Sequence, residues 1–555
     1  MKISLAQLNY HVGNFSSNTQ KIIAAIKTAE EQNADLVVFS ELCISGYPAR
    51  DFLEFDDFVA QCNDALNEIA KHTSKVAVLV GCPRKNPTKE GKDLFNSAFF
   101  IREGEVKNII DKTLLPTYDV FDEYRYFESN KKFEVVHFKG KKLAITICED
   151  IWNCGDENPL YPTAPLDELA KQSPDIIINL SASPFSYVQH EERLKVIRAN
   201  VARYKIPLVY VNQVGAQTEL IFDGGSMVVN EHGDINKQLP FFRESVDFVT
   251  IEDLKLNIEK AESQIISRLE SRDETNHQSS ILDALILGIR DYFSKLGFKR
   301  AILGLSGGID SALVLYLAVE ALGRENVLSL LLPSGFSSDH SLADAKQLCE
   351  NLGTKYETIP IENNFQSFVE TLEPHFKNLP FNVAEENLQA RVRGVLLMAF
   401  SNKFGYILLN TTNKSEAAVG YGTLYGDMCG GLSVLGDVYK TQVYELANYI
   451  NRNSEIIPQN IISKPPSAEL RPNQKDSDSL PEYDVLDKIL FQYIEKRQGP
   501  KELVAMGFDK PLVDRILKMV NSSEWKRFQA PPILRVSPKA FGMGRRMNIE
   551  GKYLG

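Results

Sequence analysis

Short apolar segments alternate with segments of helical periodicity along almost the whole chain, and this alternation limits its fold more than any other feature. In the first half, strands are predicted at Ile3–Leu8, Leu36–Ser40, Val76–Gly81, Ser97–Ile101, Lys142–Cys148, Ile176–Leu180 and Pro207–Asn212. Helices are predicted between them at Gln20–Gln32 and Glu191–Arg203. Such alternation is typical of α/β architecture. Because many strands are only half apolar or follow one another directly, we expect two sheets packed together with helices outside.

A polar segment near the middle of the chain divides it into two domains. Residues 256–280 are dense in charge and lack aromatic side chains, which is typical of a surface helix followed by a linker. A second α/β unit is predicted to begin with the helix Ile281–Leu296 and the strand Arg300–Leu305. We therefore expect a first domain at residues 1–255, a linker at 256–280 and a second domain at 281–555.

Charge and cysteine content limit the classes of partner. With 62 Lys and Arg against 73 Asp and Glu, the net charge is −11, which disfavours strong binding to nucleic acid or to an anionic membrane. The 7 cysteines form no CxxC pair or Cys/His cluster, which suits a reducing compartment better than a disulfide framework. No apolar run approaches the roughly 18 residues of a membrane span, and the first residues lack the apolar core of a signal peptide. We expect a soluble, cytoplasmic protein that acts on small molecules, without nucleic-acid or membrane partners.

Three predicted strands run into reactive side chains, Glu41, Lys112 and Cys148. If these strands were parallel in one sheet, their ends would meet at one edge, where α/β proteins usually place their chemistry. A thiol needs a base to become a nucleophilic thiolate, and the oxyanion that it creates on a carbonyl needs a cation. Glu41 would be the base, Lys112 the cation and Cys148 the nucleophile. Taken singly, each is more often a structural or surface residue, so the flanking sequence has to decide.

The flanking sequence resembles the nitrilase (carbon–nitrogen hydrolase) superfamily. Its three signature blocks are matched in order by SELCISGYPARDF, DKTLLPTYDVFDEYRYF and ICEDIW, within residues 1–255. The resemblance implies an α-β-β-α sandwich and amide hydrolysis through a thioester at Cys148, with Glu41 and Lys112 as the other catalytic residues.

The same resemblance implies a glutamine-binding set. In members of the superfamily that use glutamine, Tyr118 and Ser183 match glutamine-binding positions. Six residues after Ser183, where those members often carry lysine, this chain has Gln189. Tyr118, Ser183 and Gln189 are therefore the predicted glutamine contacts.

The second half contains a strand, a glycine-rich loop and a helix that together suit a pyrophosphate. The strand Arg300–Leu305 runs into SGGIDS at residues 306–311, and a helix follows. Two glycines allow successive N–H groups to face one point, and the helix N-terminus adds its dipole. The two serines supply hydroxyl donors, and Asp310 can hold Mg²⁺. The Walker A lysine is missing and no GxGxxG follows a strand, so neither of those nucleotide-binding motifs is predicted.

The full SGGIDS sequence resembles the PP-loop of N-type ATP pyrophosphatases, which cleave ATP to AMP and pyrophosphate. Three further blocks, ENLQAR, TNKSE and SAELRPNQ with DSLPEYDVLD, resemble the NAD synthetase family. The resemblance implies a parallel-sheet α/β domain of the adenine nucleotide alpha hydrolase type. It assigns ATP binding to Gly304, Leu305, Ser306, Gly307, Gly308, Ile309, Asp310, Ser311, Thr411, Lys440 and Ser467. It assigns deamido-NAD binding to Asn387, Glu416 and Lys526, and Mg²⁺ binding to Asp310 and Glu416.

Together the two resemblances imply a glutaminase joined to an amidating enzyme. Ammonia released from L-glutamine would convert deamido-NAD to NAD through an adenylated intermediate, with ATP as co-substrate and Mg²⁺ as cofactor. A homo-oligomer is expected, because nitrilase folds often pair. One alternative is another PP-loop glutamine amidotransferase, which the nitrilase-type partner domain and the acidic pI disfavour. The other is a non-catalytic protein whose nitrilase-like half only binds or scaffolds.

Overall fold

The computed structural model describes residues 1–154, 159–251, 274–377, 379–472 and 474–554. The chain divides into two compact units, Met1–Arg272 and Asp273–Gly555. The predicted linker at residues 256–280 falls mainly outside the described residues, so the predicted domain limits stay a prediction. Within the described part of the chain, no helix is both long and apolar enough to cross a membrane.

Two six-stranded sheets form the centre of the first unit. In spatial order, the first sheet contains Ser245–Thr250, Lys2–Gln7, Leu36–Val38, Ala77–Lys85, Leu94–Arg102 and Glu105–Asp111. The second sheet contains Ile235–Gln238, Met227–Val229, Leu208–Asn212, Ile176–Ser181, Lys141–Ile147 and Val136–Phe138. A separate hairpin joins Val214–Gln217 to Leu220–Asp223. The α-helices are Phe15–Glu31, Asp56–Ala70, Pro165–Ala170 and Gln189–Tyr204, and the short 3₁₀ helices are Arg50–Glu54, Glu123–Arg125 and Cys148–Ile151.

Alternation of side chains along each strand produces separate apolar layers in this unit. Leu36 and Val38 share one core with Ile145 and Ile178 of the second sheet. Val37, between them, belongs to a different core, which includes residues of the first two helices. Because the strand is covered on both faces, it is apolar throughout rather than alternating. The layers form an α-β-β-α sandwich, which confirms the predicted fold.

The expectation that the three reactive strands share one sheet is wrong. Leu36–Val38 and Glu105–Asp111 lie in the first sheet, and Lys141–Ile147 lies in the second. Cys148 therefore lies near Glu41 and Lys112 because the two sheets are stacked face to face. The strand before Cys148 is not a neighbour of the other two strands in one sheet. Periodicity predicts strands and their faces but does not say which sheet a strand enters.

One five-stranded parallel sheet forms the centre of the second unit. Its spatial order is Lys355–Thr358, Val327–Leu331, Ala301–Gly304, Ile407–Asn410 and Leu432–Ser433. The α-helices are Glu274–Leu296, Ile309–Leu322, Asp339–Leu352, Glu362–Phe376, Val383–Phe404, Lys414–Val419, Lys440–Ile450, Gln459–Ser463, Tyr483–Ile494, Pro500–Ala505, Lys510–Ser522 and Glu524–Arg527. The strand order reverses between Ala301–Gly304 and Ile407–Asn410, and open α/β sheets bind ligands at the carboxyl ends of strands at such a point. The predicted parallel-sheet domain is thus confirmed.

Candidate active sites

Lys112 is the centre of a buried polar cluster in the first unit. Its side chain is 0% exposed. Its Nζ donates to Glu41 Oε1 at 2.7 Å and to Glu123 Oε1 and Oε2 at 2.9 and 2.8 Å. The predicted base and cation are therefore in direct contact. Glu123, which the sequence did not single out, comes from the short helix Glu123–Arg125.

The carboxylate of Glu41 is held by both sheets. Oε1 also accepts a hydrogen bond from Asn96 Nδ2 at 2.7 Å. Oε2 accepts one from the backbone N–H of Ala182 at 3.1 Å, directly after the strand Ile176–Ser181 of the second sheet. With Lys112 as the third donor, these hydrogen bonds fix the orientation of the Glu41 carboxylate.

Cys148 occupies the sharp turn between the strand Lys141–Ile147 and the short helix Cys148–Ile151. Its φ is +43°, a left-handed conformation that costs energy for any residue but glycine and is often found at active sites. Burial and the charge of Glu41 raise the pKa of the Cys148 thiol well above its ordinary value, while Lys112 opposes the shift. These surroundings therefore disfavour a resting thiolate at Cys148.

Asp150 connects the chain around Cys148 to the chain around Lys112. Its Oδ1 accepts from the backbone N–H of Thr113 at 3.0 Å, and its Oδ2 accepts from the N–H of Ile147 at 3.0 Å. Burial raises the pKa of Asp150 to about 6, and these N–H groups oppose the shift. Since Thr113 follows Lys112 and Ile147 precedes Cys148, this one carboxyl group sets the spacing between cation and nucleophile.

Glu123 shares the ammonium of Lys112 with Glu41. Tyr47 OH donates to Glu123 Oε1 at 2.9 Å. Burial raises the pKa of Glu123 to about 7, the nearby charge of Glu41 adds to the shift, and Lys112 opposes it. Burial works against the charge on Lys112, but Glu123 and Glu41 outweigh it and raise the Lys112 pKa well above its ordinary value. The cluster thus keeps Lys112 positively charged in a buried site.

The structure places two of the three predicted glutamine contacts against buried charged groups. Tyr118 OH donates to Glu149 Oε1 at 2.9 Å, beside the nucleophile. Ser183 is buried, and its Oγ accepts from Arg193 at 3.4 Å. Gln189 is half-buried at the start of the helix Gln189–Tyr204.

Two buried charged groups in this region were missed from the sequence. Glu149 also accepts from Tyr161 OH at 3.0 Å, and burial raises its pKa. Arg193 forms an ion pair with Asp223 at 3.0 Å, with side chains 0% and 1% exposed. The available signal for Arg193 was its place on the inward face of the predicted helix, one turn after Gln189.

In the second unit, a cavity of about 300 Å³ lies where the strand order of the sheet reverses. The sequence-predicted residues on its wall are Gly304, Leu305, Ser306, Gly308, Ile309, Asp310, Ser311, Thr411, Glu416, Lys440 and Ser467. The structure therefore brings together residues that are up to 163 positions apart, from 304 to 467, at the expected edge. Gly307 is the one predicted loop residue that does not line this wall.

The loop at residues 306–311 is a compact turn that leads into a helix N-terminus. Ser306 Oγ accepts from the N–H of Gly308 at 3.1 Å and lies 3.1 Å from Ser311 Oγ. Gly307 has φ +78°, and a Cβ atom there would lie 2.2 Å from the carbonyl oxygen of Ser341. The turn therefore needs glycine at 307, and it directs the N-terminus of the helix Ile309–Leu322 at the cavity.

The two predicted metal-binding carboxylates meet at Lys440. Its Nζ contacts Asp310 Oδ2 and lies 3.5 Å from Glu416 Oε1. Asp310 also accepts from Asn413 Nδ2 at 2.9 Å. Burial and the charge of Asp310 raise the pKa of Glu416 to about 8, with Lys440 opposing. Carboxylate oxygens are the donors that Mg²⁺ prefers, so the side chains of Asp310 and Glu416 fit this ion.

The predicted deamido-NAD residues are only partly brought together. Glu416 lines the cavity, whereas Asn387 and Lys526 do not. Both of those contact residues 420–423: Asn387 Oδ1 accepts from Thr423 Oγ1 at 2.6 Å, and Lys526 Nζ donates to the carbonyls of residues 420 and 422 at 2.8 Å each. Since residue 421 lines the cavity, the two side chains lie behind one segment of its wall.

Arg393 is a cavity-lining cation that the sequence did not single out. Its Nε donates to the carbonyl of Leu332 at 3.0 Å. Burial lowers the Arg393 pKa to about 10, and the acidic Asp427 and Glu469 oppose the shift. A half-buried guanidinium on the wall of a cavity favours an anionic ligand.

Two family models match the chain. Residues 2–257 match the carbon–nitrogen hydrolase family, and residues 281–530 match the NAD synthase family. The glutamine-dependent NAD(+) synthetase of Synechocystis sp. is 48% identical, over 99% of this chain and 98% of the relative. The enzyme of the same name from Thermotoga maritima is 40% identical, over 100% and 99%.

Solved structures are similar over the same length. A glutamine-dependent NAD+ synthetase from Acinetobacter baumannii, solved in complex with adenosine diphosphate, is 37% identical with a TM-score of 0.76 and covers 99% of this chain and 98% of its own. The glutamine-dependent NAD(+) synthetase of Cytophaga hutchinsonii has a TM-score of 0.84 at 20% identity, over 100% and 98%, and supports the fold alone.

The raised pKa of Glu123 predicts a pH-dependent contribution to stability. The folded chain binds this proton more tightly than the unfolded chain, because the Glu123 pKa is about 7 against an ordinary 4.5. This contribution is fully present below pH 4.5 and is lost as the pH rises through 7. Glu123→Gln, which cannot ionise, should therefore lose less stability than the parent protein as the pH rises from about pH 5 to about pH 8, measured by urea unfolding. The exposed Glu90→Gln is the control, and identical pH profiles for Glu123→Gln and the parent would refute the assignment.

The close approach at Gly307 predicts a steric effect on nucleotide binding. Gly307→Ala should weaken ATP binding by about tenfold or more in titration calorimetry, because its Cβ would displace the loop from Ser341. Gly297→Ala is the matched control, since Gly297 has the same φ of +78° with no other atom within 4 Å of the added Cβ. Equal losses in both variants would show that backbone strain, rather than the contact, decides the effect.

Proposed function

The chain belongs to the glutamine-dependent NAD(+) synthetase family, and from this premise we propose how its residues carry out the reaction. It amidates deamido-NAD to NAD with ATP as co-substrate and nitrogen from L-glutamine. The observation that best supports our assignment of residues is the buried contact of Lys112 with Glu41 in the cluster that contains Cys148.

In the first unit, Cys148 is the proposed nucleophile. Glu41 takes the thiol proton while the sulfur attacks the side-chain amide carbon of glutamine, and Lys112 stabilises the resulting oxyanion. Glu41 then returns the proton to the leaving nitrogen, so ammonia departs and a thioester remains. Water, deprotonated by Glu41, hydrolyses the thioester to glutamate and restores the thiol.

Glutamine is bound by Tyr118, Ser183 and Gln189 in this proposal. The contact of Tyr118 with Glu149, next to the nucleophile, supports its place beside the substrate. Arg193 holds Ser183 in place, since it donates a hydrogen bond to the Ser183 hydroxyl and forms an ion pair with Asp223.

In the second unit, the carboxylate of deamido-NAD attacks the α-phosphorus of ATP, and pyrophosphate leaves. The serine hydroxyls and N–H groups of residues 304–311 bind the departing pyrophosphate, and Lys440 adds a positive charge. Asp310 and Glu416 would hold Mg²⁺, which when bound compensates the charge of the phosphates. Thr411 and Ser467, which line the same cavity, also contact ATP in this proposal.

Ammonia then attacks the adenylated carboxyl group, and AMP leaves as NAD forms. The adenylate is needed because a carboxylate is a poor electrophile with a poor leaving group. Asn387, Glu416 and Lys526 are the proposed contacts of deamido-NAD. Glu416 lines the cavity, and Asn387 and Lys526 both contact residues 420–423, one of which lines the same cavity, which supports a common ligand. Arg393 supplies a further positive charge to the same cavity.

We also propose a homo-oligomer in the cytoplasm, without nucleic-acid or membrane partners. All seven cysteines are free thiols, which favours a reducing compartment, and the net charge of −11 disfavours polyanionic partners. Another PP-loop amidotransferase is not favoured, because the similar synthetases cover both units of the chain.

Product analysis tests the second site. Incubation with deamido-NAD, ATP, Mg²⁺ and glutamine should yield NAD, AMP, pyrophosphate and glutamate in equal amounts, because the loop lacks the Walker lysine used in γ-phosphate transfer. Formation of ADP and phosphate instead would exclude adenylation.

Replacement of Cys148 tests whether glutamine hydrolysis and amidation take place at separate sites. Cys148→Ala should lower glutamine-dependent NAD formation by about 10³-fold or more, because no other group can form the thioester. A high concentration of ammonium chloride should restore NAD formation, since the adenylating site uses ammonia itself. Cys43→Ala, a buried thiol near Glu41 in sequence, is the control and should keep most of the glutamine-dependent rate. Equal loss of both nitrogen sources in a folded Cys148→Ala protein would contradict the assignment.

A further inference from the structure

We infer that residues 533–539 are part of the synthetase site, because they clamp Lys414 and Asp437 and thereby position Glu416 and Lys440. The inference rests on the proposed roles of those last two residues in ATP and Mg²⁺ binding. The clamp lies beyond residue 530, where the match to the NAD synthase family ends.

The ammonium of Lys414 is fully buried and saturated with partners. Its Nζ donates to Glu495 Oε1 at 2.8 Å, to Ser537 Oγ at 2.8 Å and to the carbonyl of Lys539 at 2.9 Å. Asp437 Oδ1 lies 2.9 Å from the same nitrogen. The side chains of Lys414 and Asp437 are 0% exposed and that of Glu495 is 1% exposed. Two of these partners, Ser537 and Lys539, belong to residues 533–539, which we call the C-terminal segment.

The carboxylate of Asp437 depends on the same segment. Its Oδ2 accepts from the backbone N–H groups of Val536 and Ser537 at 2.8 and 2.6 Å, and its Oδ1 accepts from Ser537 Oγ at 2.7 Å. The hydroxyl of Ser537 thus accepts from Lys414 and donates to Asp437. One side chain joins the two buried charges.

The C-terminal segment also pairs with the edge strand of the sheet through a short backbone contact. The N–H of Ser433, on the edge strand Leu432–Ser433, donates to the carbonyl of Pro532 at 2.8 Å, and the N–H of Leu534 donates to the carbonyl of Ser433 at 3.2 Å. The segment therefore runs parallel to the edge strand, and its position is fixed by the backbone.

The clamped residues lie on the two short segments that carry the site. The N–H of Lys414 donates to the carbonyl of Val438 at 2.9 Å, and the N–H of Lys440 donates to Ser415 Oγ at 2.9 Å. Glu416 follows two residues after Lys414, and Lys440 Nζ lies 3.5 Å from Glu416 Oε1. A movement of either segment therefore changes the distance between these two charged groups.

Loss of the Ser537 hydroxyl would leave both buried charges with one partner fewer. Buried charges that lose a partner move toward other polar groups or water, since an uncompensated charge is strongly unfavourable in the interior. Because Lys414 and Asp437 sit on the segments of Glu416 and Lys440, such a movement displaces the groups that contact ATP. Displacements of about 1 Å at a reacting centre can lower rates by about 10²-fold.

The test compares Ser537→Ala with Ser537→Thr, which keeps the hydroxyl, and with Ser522→Ala, an exposed serine of the same unit. Ammonium-dependent NAD formation is measured as ATP is varied, together with binding of α,β-methylene-ATP by calorimetry with Mg²⁺. Ser537→Ala should raise the ATP KM and the analogue Kd by about tenfold, with glutaminase activity within about twofold of the parent. Ser537→Thr should restore most of the affinity, and Ser522→Ala should not differ from the parent.

A lower thermal midpoint for Ser537→Ala with unchanged ATP KM and analogue Kd would overturn the inference, since the clamp would then only stabilise the fold. If Ser537→Ala does not fold, the smaller change Ser537→Cys carries the same comparison. Absence of NAD formation by the parent protein itself would refute the proposed function, and the inference with it. Normal NAD formation by the parent and by Ser537→Ala alike would refute the inference alone.

Discussion

The contact between the buried ammonium of Lys112 and two carboxylates is the constraint on which the first site depends. An isolated ammonium in the interior would be strongly unfavourable, so the site needs Glu123 as well as Glu41. Glu123 binds the ammonium of Lys112 together with Glu41. One oxygen of the Glu41 carboxylate is therefore available to other donors. Asp150 then places the Cys148 turn against the chain that carries Lys112. Removal of any one of these contacts would change the spacing of the others.

The second unit contains two buried lysines, Lys440 and Lys414, and each is paired with two carboxylates. Lys440 lies between Asp310 and Glu416 on the cavity wall, where a substrate can compete for its charge. Lys414 lies deeper, and its partners come from distant parts of the chain. Lys440 lines the cavity and Lys414 does not, which is consistent with our proposal that Lys440 contacts ATP and that Lys414 holds the contacting groups in place.

Candidate site residues that stand in contiguous sequence motifs could be predicted from the sequence. The residues that hold them in place through contacts between distant segments could not. Glu41, Cys148 and the loop at residues 306–311 stand in blocks that resemble known families, and this resemblance supplied their predicted roles. Ser537 is the opposite case, because its partner Asp437 is 100 residues away and neither stands in a recognisable pattern. The sheet membership of the strand before Cys148 was mistaken for a related reason. Periodicity reports which faces of a strand are covered, but pairing is decided by contacts between distant segments.

The raised pKa of the Cys148 thiol bears on how this residue would act as a nucleophile. Burial and the charge of Glu41 raise the pKa of the thiol and so disfavour a thiolate in the resting site. Proton transfer to Glu41 becomes favourable only when the sulfur gains a bond to carbon, since the negative charge then moves to the carbonyl oxygen of the substrate. That oxygen can interact with Lys112, whereas a free thiolate would remain beside the carboxylate of Glu41. In the proposed mechanism, the buried carboxylate of Glu41 therefore acts as a base during attack, and its charge raises the pKa of the thiol before substrate binds.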